Sequence, residues 1–573
     1  MKKSWLADAA IGLVLTLAVA AGYLAPGVLP ALEGLELKTY DQRAKLRTTV
    51  DAGQEIVLVA IDDASIAALG RWPWPRARVA ELLDKLREKG QPKVVGLDVV
   101  YSEPDQNQGL LELQALQKEY QDLVAARKIV DKTKAFDAEF SSAAVRLDND
   151  AKLLASLRDS GNVLLPMFFA RSALQGAKAE EMPPVFSSST VGMALAQGPA
   201  PTLPDGMKAL YPVVPFAEAS MGVGHVSVEQ DLDGVVRSEQ PVIKYGSAAY
   251  PSYALLLAAA YMGLKPTDIV WTPGRKVAAG KLEVPLDDQS RALLSFDPEG
   301  AFRTYSFADV LADKVSPDVF KDKIVLVGPT ATGVGSTYTT PVAATLPGVE
   351  LVANVVDNVL HHRFLVRPAF ALRLELGLIA AVGLFLMFIL PRLKALWAFL
   401  LFLLMELALL GGGTYLFLQG QWVKVAYPGV LLLAGYVLIV TRRFFSTEKG
   451  KELVEASAIE TNKMLGLSFQ GQGMLDMAFE KFRLCPLDDN MKDTLYNLAL
   501  DFERKRQFAK AGAVLEHIAA KDPKYKDVVE KSKKLKEASE GAVFGGVGGA
   551  KKEGTVMLAG SGSTKPTLGR YEI

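Results

Sequence analysis

A single cysteine, Cys485, stands in 573 residues. The long stretch between the first and second apolar runs has none, so no disulfide framework holds it. Its size must let an ordinary hydrophobic core suffice. Net charge is missing too: 64 Lys and Arg balance 64 Asp and Glu. That removes a global case for nucleic-acid binding, which needs a basic face. Phosphate-loop chemistry is likewise absent. "GPTATGVGST", after the apolar "KIVLV", lacks the Lys that a Walker loop places after its second glycine. "GGVGG" near the C-terminal end follows no strand pattern and opens no helix pattern.

What is present is apolar sequence, 50% of all residues, its excess concentrated in four runs at 5–29, 374–390, 396–418 and 422–441, each long enough to span a bilayer. Lys2 and Lys3 precede the first run, Arg392 and Lys394 separate the second from the third, and Arg442 and Arg443 follow the fourth. If every run spans, these clusters share one side, which the positive-inside rule makes cytoplasmic. Residues 1–4 and everything after the fourth run are then cytoplasmic, and 30–370 are exported. A cleaved signal peptide is the rival, because Ala18-Val19-Ala20 resembles a cleavage site; the run is long for a signal core, which favours an anchor. Asp8 and Glu406 fall within or beside the runs. Asp8 suits the headgroup level, and Glu406 suits a contact between helices.

The exported part reads as α/β with a mainly parallel sheet. "EIVLVAIDD", "KVVGLDVV", "NVLLPMFF" and "KIVLVGP" are near-continuous apolar strands, and amphipathic helices such as "RARVAELLDKLREKG" alternate with them. Ligands of such sheets sit beyond the carboxyl ends of the strands. Asp62, Asp63, Asp98 and Tyr101 fall there, with Arg71, Trp72 and Trp74 of "RWPWPR" close in sequence. These seven are the candidate ligand-binding residues. The competing reading makes the aspartates helix caps and the Trp-Pro pairs loop stiffeners. Residues 106–144 form a charged helical insertion at the surface. In "EQDLDGVVRSEQ", Glu229, Asp231 and Asp233 echo a calcium loop, but Gln240 stands where that loop needs Glu. Two strands around the Asp-Gly turn fit better, and His225 reads as structural, since no metal-ligand spacing surrounds it. No catalytic, cofactor or metal residue is assigned. An envelope hydrolase built on Asp62, Asp63 and Asp98 ranks last, for want of a nucleophile or a full metal set.

In order along the chain, "LELKTYDQR", "VLVAIDDASIAALGRWPWPR", "VVGLDVVYSEPD", "GHVSVEQDLDGVVR", "YPSYALLLA", "FKDKIVLVGPTATGVGS" and "LPGVELVANVVDNVLHHRFLVRP" resemble the second type of CHASE sensor domain, an extracytoplasmic module of bacterial receptors. The likeness covers most of 35–367 apart from the insertion. It implies one span before the domain and three after, in a multi-pass protein of the bacterial inner membrane that meets an extracytoplasmic ligand or envelope partner. Two positions depart from the family pattern: the chain has Ser336-Thr337-Tyr338 where Asp often precedes Thr-Pro, and Leu351 where His is common.

Beyond the fourth run, 445–540 is polar and helical. Leu465, Gly466, Phe469, Ala478 and Phe482 recur 33 residues on as Leu498, Ala499, Phe502, Ala511 and Leu515, the small-and-aromatic spacing of tetratricopeptide repeats. A helical hairpin or coiled-coil stalk is the other reading; both suit protein partners and dimerisation, and a homo-oligomer is expected. Residues 541–567 read as a flexible linker. The last six, "LGRYEI" at 568–573, resemble the first strand of a bacterial Ser/Thr protein kinase of eukaryotic type. No kinase motif follows in the chain. The chain is therefore expected not to be an enzyme, with ATP and Mg2+ belonging only to a kinase domain outside it. The resemblances together imply a transmembrane receptor governing a cytoplasmic kinase. The alternative is a membrane-anchored scaffold that recruits partners through 445–540.

Overall fold

The computed structural model describes residues 2–47, 53–130, 135–170, 181–194 and 203–544. The expected linker at 541–567 lies outside them except for 541–544, which end the helix Val528–Phe544, and the kinase-like 568–573 lie outside entirely. Two compact units divide the chain, 1–440 and 441–573.

A seven-stranded sheet organises the first unit. Its strands are β1 (Ile56–Ile61), β2 (Val94–Leu97), β3 (Val163–Ala170), β4 (Lys208–Leu210), β5 (Gly222–His225), β6 (Arg303–Ser306) and β7 (Ile324–Pro329). They are joined in the order β6-β1-β7-β2-β3-β4, with β5 also on β3. Every pairing is parallel except β3 with β4. Side chains of β1 alternate between two cores: Ile56 and Leu58 enter one, Val57, Val59 and Ile61 the other. Helices Tyr253–Tyr261 and Gly348–His361 fill the first core, and helices Arg76–Lys85 and Asn149–Ser160 the second. Burial on both faces is why the strands carry unbroken apolar runs. Gly224 is required by this packing, because a Cβ there would lie 2.7 Å from the Cα of Tyr253.

The insertion forms helices Gln108–Ala125 and Ala135–Leu147, in which no residue is buried. The stretch around Asp233 is not the expected two-strand hairpin. The strand before it, β5, joins the main sheet, and Ser238–Glu239 pairs with Ala292–Leu293 instead. Arg237 is the physical reason. Its guanidinium, 2% exposed, gathers Asp41 at 2.8 Å, Asp231 at 2.9 Å and Asp233 at 2.7 Å, so the aspartates serve an arginine and not a metal ion.

Among the described residues, four helices are long and apolar enough to cross a membrane: Trp5–Leu24, Ala371–Arg392, Ala395–Leu418 and Ala426–Ser446. The first stops short of residue 29. A short turn at Pro26–Val28 intervenes and a separate helix runs Pro30–Leu46, since a proline lacks the N–H that would continue a helix but suits its first turn. The fourth begins at Ala426 because the backbone of Trp422 is extended and bonded to Val366 (3.0 Å). Glu406 meets Gly429, where a Cβ would come within 2.9 Å of Oε1, the interhelical contact its position suggested. Asp8 is buried against the protein, 3% exposed.

In the second unit, helices Leu475–Phe482, Asp489–Arg504, Phe508–Ala519 and Val528–Phe544 enclose their own core. Leu498, Ala499, Phe502, Ala511 and Leu515 are all buried in it, and so are Ala478 and Phe482, whereas Leu465 is 40% exposed. The two copies of the sequence pattern are thus not equally buried.

Candidate functional site

A cavity of about 400 Å³ opens at the carboxyl edge of the main sheet. Asp98 follows the last residue of β2, Phe168 lies near the end of β3, Val226 and Ser227 follow β5, and Pro329 ends β7. Leu351 and Val355 of helix Gly348–His361 and Ala254 of helix Tyr253–Tyr261 close it from one side. Phe168 and Leu210, partners across β3 and β4, are 41% and 49% exposed and give it an apolar rim.

Its polar groups are few: Asp98, Glu239, Ser227, Ser238, Ser336 and Tyr338. Among the described residues the Asp98 carboxylate has no hydrogen-bond donor, and burial pushes it up to about 6. Burial pushes Glu239 up to about 7, against the opposing hydroxyl of Ser252. Burial also raises the Tyr338 phenol, with Ser336 opposing and the charge of Asp98 adding. The Ser227 hydroxyl is engaged, accepting from the Phe169 N–H at 2.7 Å. Among the described residues that line the cavity there is no Lys, Arg or His.

The seven sequence candidates are not brought together. Only Asp98 reaches the cavity. Trp72, Trp74 and Tyr101 line a separate open groove of about 600 Å³ with Arg76. There Trp72 meets Trp74 edge to face at 5.1 Å, and the Trp74 indole donates to the Gly70 carbonyl at 2.7 Å. Arg76 lies 5.1 Å over the Tyr101 ring and bonds Asp150 and the Glu103 carbonyl. The Tyr101 hydroxyl is buried without a partner among the described residues. Arg71 and Asp63 are exposed, and Asp63 accepts from Thr332 at 3.3 and 3.4 Å. Asp62 caps helix Asp63–Leu69, accepting from the Ser65 N–H at 2.8 Å, which is the capping reading. His225 is buried with neither ring nitrogen bonded among the described residues, and burial holds its pKa down at about 3.

Sequence reasoning missed Glu239, because the surrounding segment read as a hairpin, and missed the hydroxyls of Ser227 and Ser238. One signal did point here. Ser336, Tyr338 and Leu351, the positions that depart from the resembled pattern, all line the cavity.

At the membrane-facing end of the same unit a second set of carboxylates is fully partnered. Glu36, wholly buried, accepts from Arg43 Nη2 (2.6 Å), Trp422 Nε1 (3.0 Å) and the Ala426 N–H (2.9 Å). Glu33 takes Lys424 Nζ at 2.7 Å and the Tyr427 hydroxyl at 2.6 Å. Glu375 takes Arg367 Nη2 at 2.8 Å, the Lys424 N–H at 2.7 Å and the Tyr23 hydroxyl. Helix Pro30–Leu46 is thereby tied directly to the start of the fourth membrane-length helix, and through Lys424 to Glu375 of the second, which also holds Tyr23 of the first.

A family model described as CHASE2 domain matches residues 12–390. No curated protein matches the chain, and no solved structure does. The match spans well over half of the sequence, so the chain belongs to the CHASE2 domain family, a family of sensor domains.

Proposed function

Starting from that membership, we propose that the chain is a transmembrane signal receptor whose sensor domain, 30–370, faces away from the cytoplasm and governs a cytoplasmic Ser/Thr protein kinase. The observation that carries the reading is the carboxylate lattice of Glu33, Glu36 and Glu375. It connects the sensor's first helix to three membrane-length helices, so a ligand that favours one sensor arrangement also shifts the helices, provided it distinguishes two states. The charge clusters at Lys2-Lys3, Arg392-Lys394 and Arg442-Arg443 support a multi-pass protein of a bacterial inner membrane with both termini cytoplasmic. The kinase output rests on the likeness of 568–573 to a kinase's first strand, and ATP with Mg2+ belongs to that domain alone. The tetratricopeptide-like packing of 445–540 and a homo-oligomeric state belong to the same proposal.

The test is phosphorylation of a Ser/Thr peptide by the natural protein in reconstituted vesicles. Replacing Arg367 with Ala should change basal output by about fivefold or more, the scale of ordinary coupling energies. Activity indifferent both to Arg367→Ala and to removal of 35–367 overturns the receptor reading, and absence of Ser/Thr phosphorylation overturns the kinase output. A scaffold reading is favoured by one observation: Met464, Leu467, Met477 and Leu484 of the second unit are exposed, a surface suited to protein contact. Specific capture of a partner by the full chain, with no phosphorylation, would install that reading instead.

A further inference from the structure

Several buried carboxylates of the first unit have a cation beside them. Asp357 and Asp297 share Arg363 at 2.9 and 3.4 Å, Glu36 holds Arg43 at 2.6 Å and Glu375 holds Arg367 at 2.8 Å. The cavity breaks this pattern. Its acidic groups, Asp98 and Glu239, meet no cationic side chain among the described lining residues, and Asp98 has no donor at all among the described residues. A carboxylate in apolar surroundings is costly unless it is paired or hydrogen-bonded. The cavity's 400 Å³ falls within the range of about 300–1,000 Å³ in which small-molecule sites occur. Phe168, Leu351 and Val355 supply an apolar wall.

We propose that this cavity binds a small organic cation, an amine on an apolar body. Its ammonium group lies against the Asp98 and Glu239 carboxylates, and its hydrocarbon lies against Phe168, Leu351 and Val355. An anion would meet two acids and no base. A polyol would find most of the wall unable to bond it. The proposal deepens the sensor reading and rests on it, because it names the chemistry that the sensor domain selects.

The experiment is calorimetric titration of the full chain in nonionic detergent with n-hexylamine and 2-phenylethylamine, each set against the alcohol and the carboxylate of matching size. The amines should bind about 10- to 100-fold more tightly than the alcohols, the ratio expected of a hydrogen bond to a charged group, and the carboxylates should not bind. Asp98→Asn and Glu239→Gln should each remove most of the amine preference while sparing alcohol binding, and Val355→Trp, which fills the space, should abolish both. If Asp98→Asn fails to fold, Glu239→Gln carries the comparison. Amines that bind no better than alcohols, a preference for the carboxylates, or an amine preference untouched by either acidic substitution overturns the proposal. Binding is read without any output, so its failure leaves the receptor reading to the phosphorylation assay.

Discussion

Glu36 and Asp98 are carboxylates enclosed by the same unit, one at its membrane-facing end and one at the edge of its sheet. Burial pushes both upward, but Glu36 has Arg43, the Trp422 indole and the Ala426 N–H to oppose the rise, and Asp98 has no such partner among the described residues. The lattice spends its polar groups on one another and becomes a fixed joint between helices. The cavity gives Asp98 no donor and Glu239 no cation among the described residues that line it, which suits a place meant to receive something. Stability and recognition thus call for opposite treatments of the same side chain, and the contrast can be pressed from either side.

The largest effect is expected from breaking the lattice. Arg43→Ala strands the fully buried Glu36 without its cationic partner, a change that costs about 3–5 kcal/mol in comparable buried pairs. Thermal unfolding of the full chain in detergent should show it as a lowered midpoint. Replacing Glu36 and Arg43 together by Leu and Met should recover much of the loss, since the penalty lies in the uncompensated charge. A single variant that melts with the native protein would mean that Glu36 is not buried as an ion.

Relieving the cavity should act in the other direction. Asp98 loses its proton near its ordinary 3.8 in the unfolded chain and at about 6 when folded. Between those values the folded chain binds more protons, so stability falls as pH rises through the window and stays lowered above it. Glu239 behaves alike between 4.5 and about 7. Asp98→Asn should therefore stabilise the protein at pH 8 by about 2–3 kcal/mol at most and flatten the decline between pH 4 and 6, measured by unfolding across pH. Glu33 gives the opposite sign. Burial raises it, but Lys424 and Tyr427 more than offset this and hold it below its ordinary 4.5, so its contribution is present above that value and is lost as pH falls further. Acid should loosen the Glu33 contacts while relaxing the cavity. An Asp98→Asn variant whose stability declines between pH 4 and 6 as steeply as that of the native protein would contradict the unpartnered state of Asp98.

How much of this was legible depended on separation along the chain. β1, β2, β3 and β7 announced themselves as apolar runs, because burial on both faces leaves no polar position to hide the signal. Four membrane-length runs were as plain, although their ends were set by Pro30 and by the Trp422–Val366 backbone contact, which no hydropathy pattern encodes. Asp98 was found by its place after β2. Glu239 was not, because its strand pairs with Ala292–Leu293, a partner some fifty residues away. The lattice is further out of reach: Glu36 and Trp422 lie 386 positions apart, and nothing local marks either as the other's partner. The three aspartates around Arg237 were seen as a cluster, but the arginine that explains them joins Asp41 from 196 positions away.

The smallest expected effect tests whether Asp62, equally conspicuous in the sequence, belongs to the cap or to the ligand. Its carboxylate accepts from the Ser65 N–H at 2.8 Å, the Ser65 hydroxyl at 2.5 Å and the Ser306 hydroxyl at 2.9 Å. Burial alone would raise it, but these donors hold it below its ordinary range, the reverse of Asp98. All three bonds fall on Oδ1, the oxygen that caps the helix, and Asp62 is not among the residues that line the cavity. Asp62→Ala should cost about 1 kcal/mol, the usual loss for an N-cap, in the same unfolding experiment, and should leave amine affinity unchanged in the titration. An amine affinity that falls with Asp62→Ala while Asp98→Asn is silent would move recognition away from the unpartnered acids. The distinction between fixed and receptive carboxylates would then fail at the sheet edge, where it matters most.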